Sequence, residues 1–204
     1  MDHPAAAHIR DLYERHASAW DRDRGRSPFF ERSWLDLFAA EMPAGATVLD
    51  FGCGMGAPIA AYLIGRGFAL TGIDSSPSLI DLCRERFPQG EWIVADMRQP
   101  GLGGRFGGLL AWDSFFHLTP DDQRGMFAVF RDRAADGAPL LFTSGPRHGE
   151  AIGSYEGEAL YHASLDAGEY EALLRSHGFR LLRHVADDPA CGGHTVWLAR
   201  ATQT

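Results

Sequence analysis

The stretch VLDFGCGMGAP, residues 48–58, decides the fold. A short apolar run carries an aspartate near its end, and Gly52, Gly54 and Gly56 follow at every second position. Such a run reads as a buried strand, and glycines straight after it let the backbone turn sharply and approach a ligand closely. Gly52-x-Gly54-x-x-Ala57 fits the dinucleotide fingerprint, and Asp74 stands about 20 residues on, where that fingerprint places a ribose-binding acid. The fingerprint alone does not choose the ligand. A pyrophosphate favours bare backbone N–H groups at a helix N-terminus. Here Asp50 precedes the first glycine by two residues, and no arginine occurs between Asp50 and Gly65. A carboxylate beside a phosphate in a partly dry cleft is unfavourable, so the charges point to a cationic nucleoside.

S-adenosylmethionine has that character, with a sulfonium and an ammonium against one carboxylate. Asp50 suits its amino-acid end, Asp74 both ribose hydroxyls, and Asp96 the adenine amino group. These acids fall at successive strand ends. After residues 47–51 come a helix at 57–65, a strand at 68–73, a helix from Pro77 to about Phe87, and strands at 91–95 and 108–112. Thr119, Pro120, Asp121 and Asp122 supply a cap, a proline and first-turn acids for a helix ending near Ala135. A strand at 139–143, a helix at 166–177 stopped by Gly178, and two closing strands at 179–186 and 195–199 complete the order. Strand–helix alternation predicts a doubly wound α/β sheet with ligands at the carboxyl ends of its strands, where Asp50, Asp74, Asp96 and Asp113 all lie. The last two strands lack a helix between them and pair most simply as an antiparallel hairpin.

Ahead of this pattern, residues 5–20 and 28–41 carry helical periods, the second with Pro28 near its first turn and Phe30, Trp34, Leu37 and Phe38 on one face. Arg22, Arg24 and Arg26 interleave with Asp21 and Asp23 and read as a solvated face. Residues 144–166 are polar and glycine-punctuated without a clean period, which predicts a long functional loop on the substrate side. The 204 residues fit one domain, with residues 1–44 as a helical lid.

The runs VLDFGCGMG, TGIDSS and WIVADMR, with AWDSFFHL in the fourth position, resemble the class I S-adenosylmethionine-dependent methyltransferases of small-molecule type. The resemblance implies a Rossmann-like seven-stranded sheet with an antiparallel last strand and an N-terminal helical lid. It implies that Asp50, Gly52, Gly54 and Gly56 line the methionine end of the cofactor, Asp74 and Ser75 the ribose, and Asp96 and Met97 the adenine. Cys53 joins that set as a small turn residue rather than a reactive thiol. Tyr13 and Trp20 would be lid residues, or simple packing. Trp112 either stacks near the cofactor or closes a buried strand.

Methyl transfer from a sulfonium is a direct displacement, so alignment of nucleophile, carbon and sulfur dominates. A general base helps where the nucleophile keeps a proton, and His117, after the fourth strand, is the candidate. Arg147, His148, Tyr155, Tyr161 and His162 are candidates to bind a carboxylate or phosphate substrate or to deprotonate a hydroxyl, and His194 could face either way. Asp113, His117 and the loop histidines lack metal-ligand spacing, so no metal is expected. The fourth motif lacks the N-P-P-Y or D-P-P-Y run that grips planar amines, and no paired catalytic cysteines of the RNA-cytosine type are present. A small-molecule oxygen or nitrogen acceptor fits best, with S-adenosylhomocysteine as product. The alternatives are an NAD(P)-dependent oxidoreductase, argued by Gly52, Gly54, Ala57 and Asp74, and a catalytically silent cofactor-binding module.

Composition narrows the field further. All 19 basic residues are arginine and the net charge is −8. Without lysine there is no Schiff base, no P-loop lysine and no Tyr-x-x-x-Lys pair. An acidic chain with dispersed arginines argues against a nucleic-acid partner. No apolar run reaches the ~20 residues of a membrane span, and MDHPAAAHIRDLYERH lacks the features of a signal peptide, so a cytoplasmic location is expected. Three cysteines without a C-x-x-C pair read as reduced thiols.

Overall fold

A computed structural model describes residues 4–25 and 29–203. Seven strands form one sheet in the order β3-β2-β1-β4-β5-β9-β8. They are β1 (Thr47–Phe51), β2 (Ala69–Asp74), β3 (Glu91–Val94), β4 (Gly108–Ala111), β5 (Pro139–Ser144), β8 (Phe179–Asp188) and β9 (His194–Ala201). The first five run parallel, and β9 is antiparallel to both its neighbours. The doubly wound sheet with a reversed last strand is thus as the sequence implies.

Side chains alternate across this sheet. Val48, Leu70, Leu110 and Leu141 face a core shared with α3 (Arg32–Ala40), α4 (Ile59–Gly65) and α5 (Pro77–Arg86). Leu49, Phe51, Leu109, Leu140 and Phe142 face the opposite core, filled by Phe127 and Phe130 of α6 (Pro120–Arg133) and Tyr170 of α7 (Ala167–Ser176). Asp50, one residue beyond Leu49, therefore stands on the α3–α4 face, and so does Trp112.

Three local expectations change. The single helix at 5–20 is a 3-10 turn (Pro4–His8) followed by α1 (Ile9–Arg15) and α2 (Ala17–Arg24), broken at His16. The helix expected at 28–41 begins only at Arg32, and Pro28 and Arg26 lie outside the described residues. The stretch at 144–166 is no irregular loop: β6 (Gly149–Tyr155) and β7 (Glu158–Ser164) form an antiparallel hairpin beside the main sheet. Almost all of β6 is exposed, so no inward-facing apolar alternation marks it.

Ala17 of α2 packs with Met55 and Leu79 over the glycine turn, and Tyr13 and Trp20 pack against them. Glu14 of α1 accepts from Ser76 Oγ at 2.6 Å, Ser78 N–H at 3.1 Å and Ser78 Oγ at 2.7 Å, a carboxylate at the positive end of α5. Arg86 and Asp21 tie α5 to α2 with a bond of 2.7 Å. The N-terminal helices thus close the carboxyl edge of the sheet from above.

Candidate active site

The glycine turn leaves β1 after Phe51. Gly52 has φ of +77°, and a Cβ there would lie 2.3 Å from Ser114 Cβ, so only glycine fits. Ser114 Oγ donates to the Phe51 carbonyl at 2.6 Å and fastens the turn to the residues after β4. Gly54 differs: its φ is also positive, at +55°, but a Cβ would meet only Trp20 Nε1, at 3.4 Å. That space belongs to the cleft. Asp74 staples the arrangement, accepting from Gly54 N–H at 3.0 Å and Ser76 N–H at 2.9 Å.

Above the turn lies a cavity of about 710 Å³. Tyr13, Trp20, Gly52, Gly54, Asp74, Ser75, Asp96, Met97 and His117 line it. A smaller pocket of about 50 Å³ adjoins it, lined by Asp50, Cys53, Gly56 and Trp112. Trp20, Gly52, Gly54 and Asp113 belong to both chambers. Every residue expected at the cofactor therefore meets one cleft. Arg147 is exposed in the turn before β6 and lines neither chamber, and the same holds for Tyr161 and His162.

The electrostatics are one-sided. Burial pushes the Asp50 carboxyl up to about 7, and the nearby charge of Asp74 adds to it. Asp74 is raised too, by burial, although backbone donors from Ser76 and Gly54 pull it back. Among the described residues no arginine or histidine forms a salt bridge with either acid. At the far end Asp96 is bound by Arg98, with Nη2 to Oδ2 at 2.6 Å, and Arg98 also reaches Asp122 at 2.8 Å. Arg24 lines the small pocket and pairs with the fully buried Glu31, whose Oε2 has no hydrogen-bond partner among the described residues. The solvated arginine face expected at 22–26 is thus corrected at Arg24, which turns inward because Glu31 and the ring of Phe30 receive it. Trp112 Nε1, at the same pocket, is buried and without a hydrogen-bond partner among the described residues.

His117 sits on the short 3-10 turn after β4. Its Nδ1 faces the Tyr161 carbonyl at 2.7 Å, an acceptor only, so Nδ1 carries the proton. Nε2 is then a bare lone pair, and Tyr13 OH donates to it at 2.9 Å. Burial lowers the His117 pKa to about 4, with the Tyr161 carbonyl opposing, so the ring is neutral at pH 7. The structure corrects the role of Tyr161: its side chain is wholly buried and donates to Glu150 at 2.7 Å, and its backbone carbonyl orients His117. His162 rests against Phe116 and His117, with ring centroids 5.2 and 4.9 Å away.

The hairpin tip completes the enclosure. Tyr155 stacks on Tyr13 and meets Trp20 edge-on, at 6.3 and 5.9 Å. Glu158 accepts from Arg15 and, at 2.6 Å, from His16, which holds its pKa down at about 2. Sequence reasoning missed Arg24 and Ser114 at this site, and placed Tyr155 among the substrate candidates. It noted Asp113 as a strand-end acid and weighed it as a metal ligand, and left His194 undecided; His194 Nε2 lies 3.0 Å from Asp113 Oδ1.

Residues 48–137 match the methyltransferase domain family. The chain is 35% identical over 131 residues to the magnesium-protoporphyrin O-methyltransferase of Rhodobacter capsulatus, covering 62% of this chain and 54% of that one. It is 32% identical over 96 residues to the 2-phytyl-1,4-naphtoquinone methyltransferase of Thermosynechococcus vestitus, covering 43% of each. It thus spans about half the length of these curated relatives. Among solved structures, the 1,6-didemethyltoxoflavin-N1-methyltransferase of Burkholderia thailandensis superposes with a TM-score of 0.76 at 20% identity, over 100% of this chain and 94% of that one. With the glycine turn and the strand-end acids in place, residues 48–137 are thus similar to a methyltransferase domain, and the whole chain shares the fold of a solved methyltransferase.

Proposed function

We propose that this protein binds S-adenosylmethionine and moves its methyl group to an oxygen or nitrogen of a small-molecule acceptor, releasing S-adenosylhomocysteine. The observation that carries the reading is the pair Asp50 and Asp74, raised by burial and without a salt bridge among the described residues, with the rings of Trp20 and Trp112 beside Asp50. Such a site is stabilised by a ligand that brings positive charge and hydroxyl donors, and a pyrophosphate would worsen it. The cradle at Gly54, which a side chain would fill, fits the same ligand.

The bound cofactor supplies an electrophilic methyl carbon. Asp50 would receive its ammonium, Arg24 and Trp112 Nε1 would face the carboxylate end, Asp74 would take the ribose hydroxyls, and Asp96 with Met97 would border the adenine. Tyr13, Trp20 and Tyr155 exclude water. An acceptor hydroxyl takes the place of Tyr13 OH on His117 Nε2, whose lone pair removes its proton. Support for a small acceptor is the enclosed cleft, and support against a nucleic-acid partner is the net charge of −8. No helix among the described residues is long and apolar enough to cross a membrane, and we place the protein in the cytoplasm.

Calorimetry with S-adenosylhomocysteine, NAD+ and NADP+ tests the reading. We expect saturable binding of the first alone; binding of either dinucleotide with none of S-adenosylhomocysteine overturns it.

A further inference from the structure

Of the four residues shared by the two chambers, Asp113 is the titratable one. It lines both chambers, the one holding Asp50 and the one holding Asp74 and His117. On the reading above, those chambers take the amino-acid and ribose ends of the cofactor, and the sulfonium is the atom that joins these two ends. A residue at their junction therefore borders the transferable methyl group and whatever approaches it.

The chain fixes Asp113 there against backbone preference. Its φ is +48°, uncommon for a residue with a side chain and usually retained where function requires it. Its N–H donates to Thr143 Oγ1 at 2.9 Å, and Thr143 Oγ1 also lies 3.4 Å from Asp113 Oδ1. His194 Nε2 stands 3.0 Å from Oδ1 and 3.2 Å from Oδ2.

The other nitrogen settles the charge of His194. Nδ1 faces the Cys191 carbonyl at 2.7 Å. A carbonyl on one side and a carboxylate on the other are both acceptors, and only the doubly protonated ring satisfies both. Burial opposes that charge, but the hydrogen bond and charge of Asp113 and the Cys191 carbonyl outweigh it, and the His194 pKa is raised. The imidazolium also lies against Trp112, at 5.7 Å and 28°, and Phe30, at 5.0 Å. The charged groups facing it are Asp113 and, from α2, Arg24, which opposes its protonation; Asp188 stands opposite it in the β8–β9 register.

We propose that Asp113, held by His194, receives and orients the methyl acceptor, which therefore presents an O–H or N–H donor at the transfer point and not a carboxylate. The wall of the large chamber then shows the acceptor two hydrogen-bond acceptors, the Asp113 carboxylate and His117 Nε2. A second carboxylate placed there would face Asp113 with nothing to donate. His194 is a positioning residue: it touches Asp113 and acts on the acceptor through it. Once His194 loses its Nε2 proton, a lone pair faces the Asp113 carboxylate and the anchor is lost, so acceptor affinity falls as pH rises through the His194 midpoint.

This inference rests on the cofactor reading, and the test separates the two. Binding of S-adenosylhomocysteine to the wild-type protein is measured first, and its absence sinks the cofactor reading. With that complex formed, catechol, 2-aminophenol and benzoate are titrated while the imidazole nitrogens are followed by two-dimensional 1H–15N NMR. We expect His194 protonated on both nitrogens at pH 7 and reverting to a single proton in Asp113→Asn. We expect at least one of catechol and 2-aminophenol to bind at least tenfold more tightly than benzoate. That affinity should decline as pH rises past the ordinary imidazole value of 6.5, and His194→Gln should lower it about tenfold at pH 7 and abolish the decline. A singly protonated His194, benzoate binding as tightly as the other two, binding of neither donor probe at 10 mM, or an unchanged pH profile in His194→Gln overturns the proposal while leaving cofactor binding intact.

Discussion

Replacing Asp50 by asparagine should make the protein more stable and less able to bind its cofactor. The folded chain holds the Asp50 carboxyl at about 7, against an ordinary value of 3.8, because burial and Asp74 both disfavour its charge. Below about pH 4 the group is protonated in folded and unfolded chains alike, and its contribution to stability is fully present. As pH rises toward 7 the unfolded chain ionises while the folded one holds its proton, so stability is lost until the folded group also ionises. A shift of about three units corresponds to about 4 kcal/mol at ~1.36 kcal/mol per unit, the ceiling of what Asp50→Asn can recover at pH 8. For a chain of this length 1 kcal/mol moves the melting midpoint by about 2–4 °C, so the gain reaches at most about 8–16 °C at pH 8 and vanishes near pH 4. The same substitution removes a charged partner from the ligand ammonium, an effect of about 1.5–3 kcal/mol, or roughly 10–150-fold in Kd. Melting curves at pH 4.5 and 8, with and without S-adenosylhomocysteine, read both effects. In the wild-type protein, S-adenosylhomocysteine should bind more tightly as pH rises from 6 to 8, with proton release visible in buffers of different ionisation enthalpy. An equal change in melting midpoint at both pH values, or an undiminished affinity in Asp50→Asn, refutes the reasoning.

Other perturbations separate scaffold from site. Gly52→Ala should destabilise the protein by several kcal/mol, since its Cβ would collide with Ser114 at 2.3 Å, whereas Gly54→Ala should cost about 1 kcal/mol and chiefly impair cofactor affinity; melting and calorimetry distinguish them, and similar stability losses would contradict the assignment of the Gly54 space to the ligand. Asp74→Asn keeps one acceptor oxygen for the turn but loses the charge, and should weaken S-adenosylhomocysteine by about 1–3 kcal/mol; an unaltered Kd rejects the ribose role. Glu158→Gln, at the exposed junction of hairpin and lid, should leave the melting midpoint nearly unchanged yet speed amide exchange across α1 and α2. Slow exchange retained there would mean that the latch is idle.

How much of this was legible in the sequence follows from the range of the forces involved. The strand-end acids were legible because a buried parallel strand writes its own apolar run, and the residue after that run meets the cleft whatever lies elsewhere. The break at His16 was not, since apolar period continues through it, nor was the β6–β7 hairpin, whose exposed first strand carries no inward stripe. Arg24 and Glu31 meet across the connection from α2 to α3, where no period relates them. The junction of Asp113 and His194 spans 81 residues and is a product of topology. Every parallel strand offers the cleft its end, and sequence reasoning looks for functional residues there. The reversed strand β9 offers its beginning instead: Thr195 pairs with Ser144 at the end of β5, which brings His194 to the edge where β4 ends in Trp112 and Asp113. An antiparallel closing strand was expected from the missing helix between the last two strands, and with it comes a rule for reading such chains. The residues that begin the final strand face the active cleft, as the residues just after the others do, and in this chain the first of them is the histidine that holds Asp113.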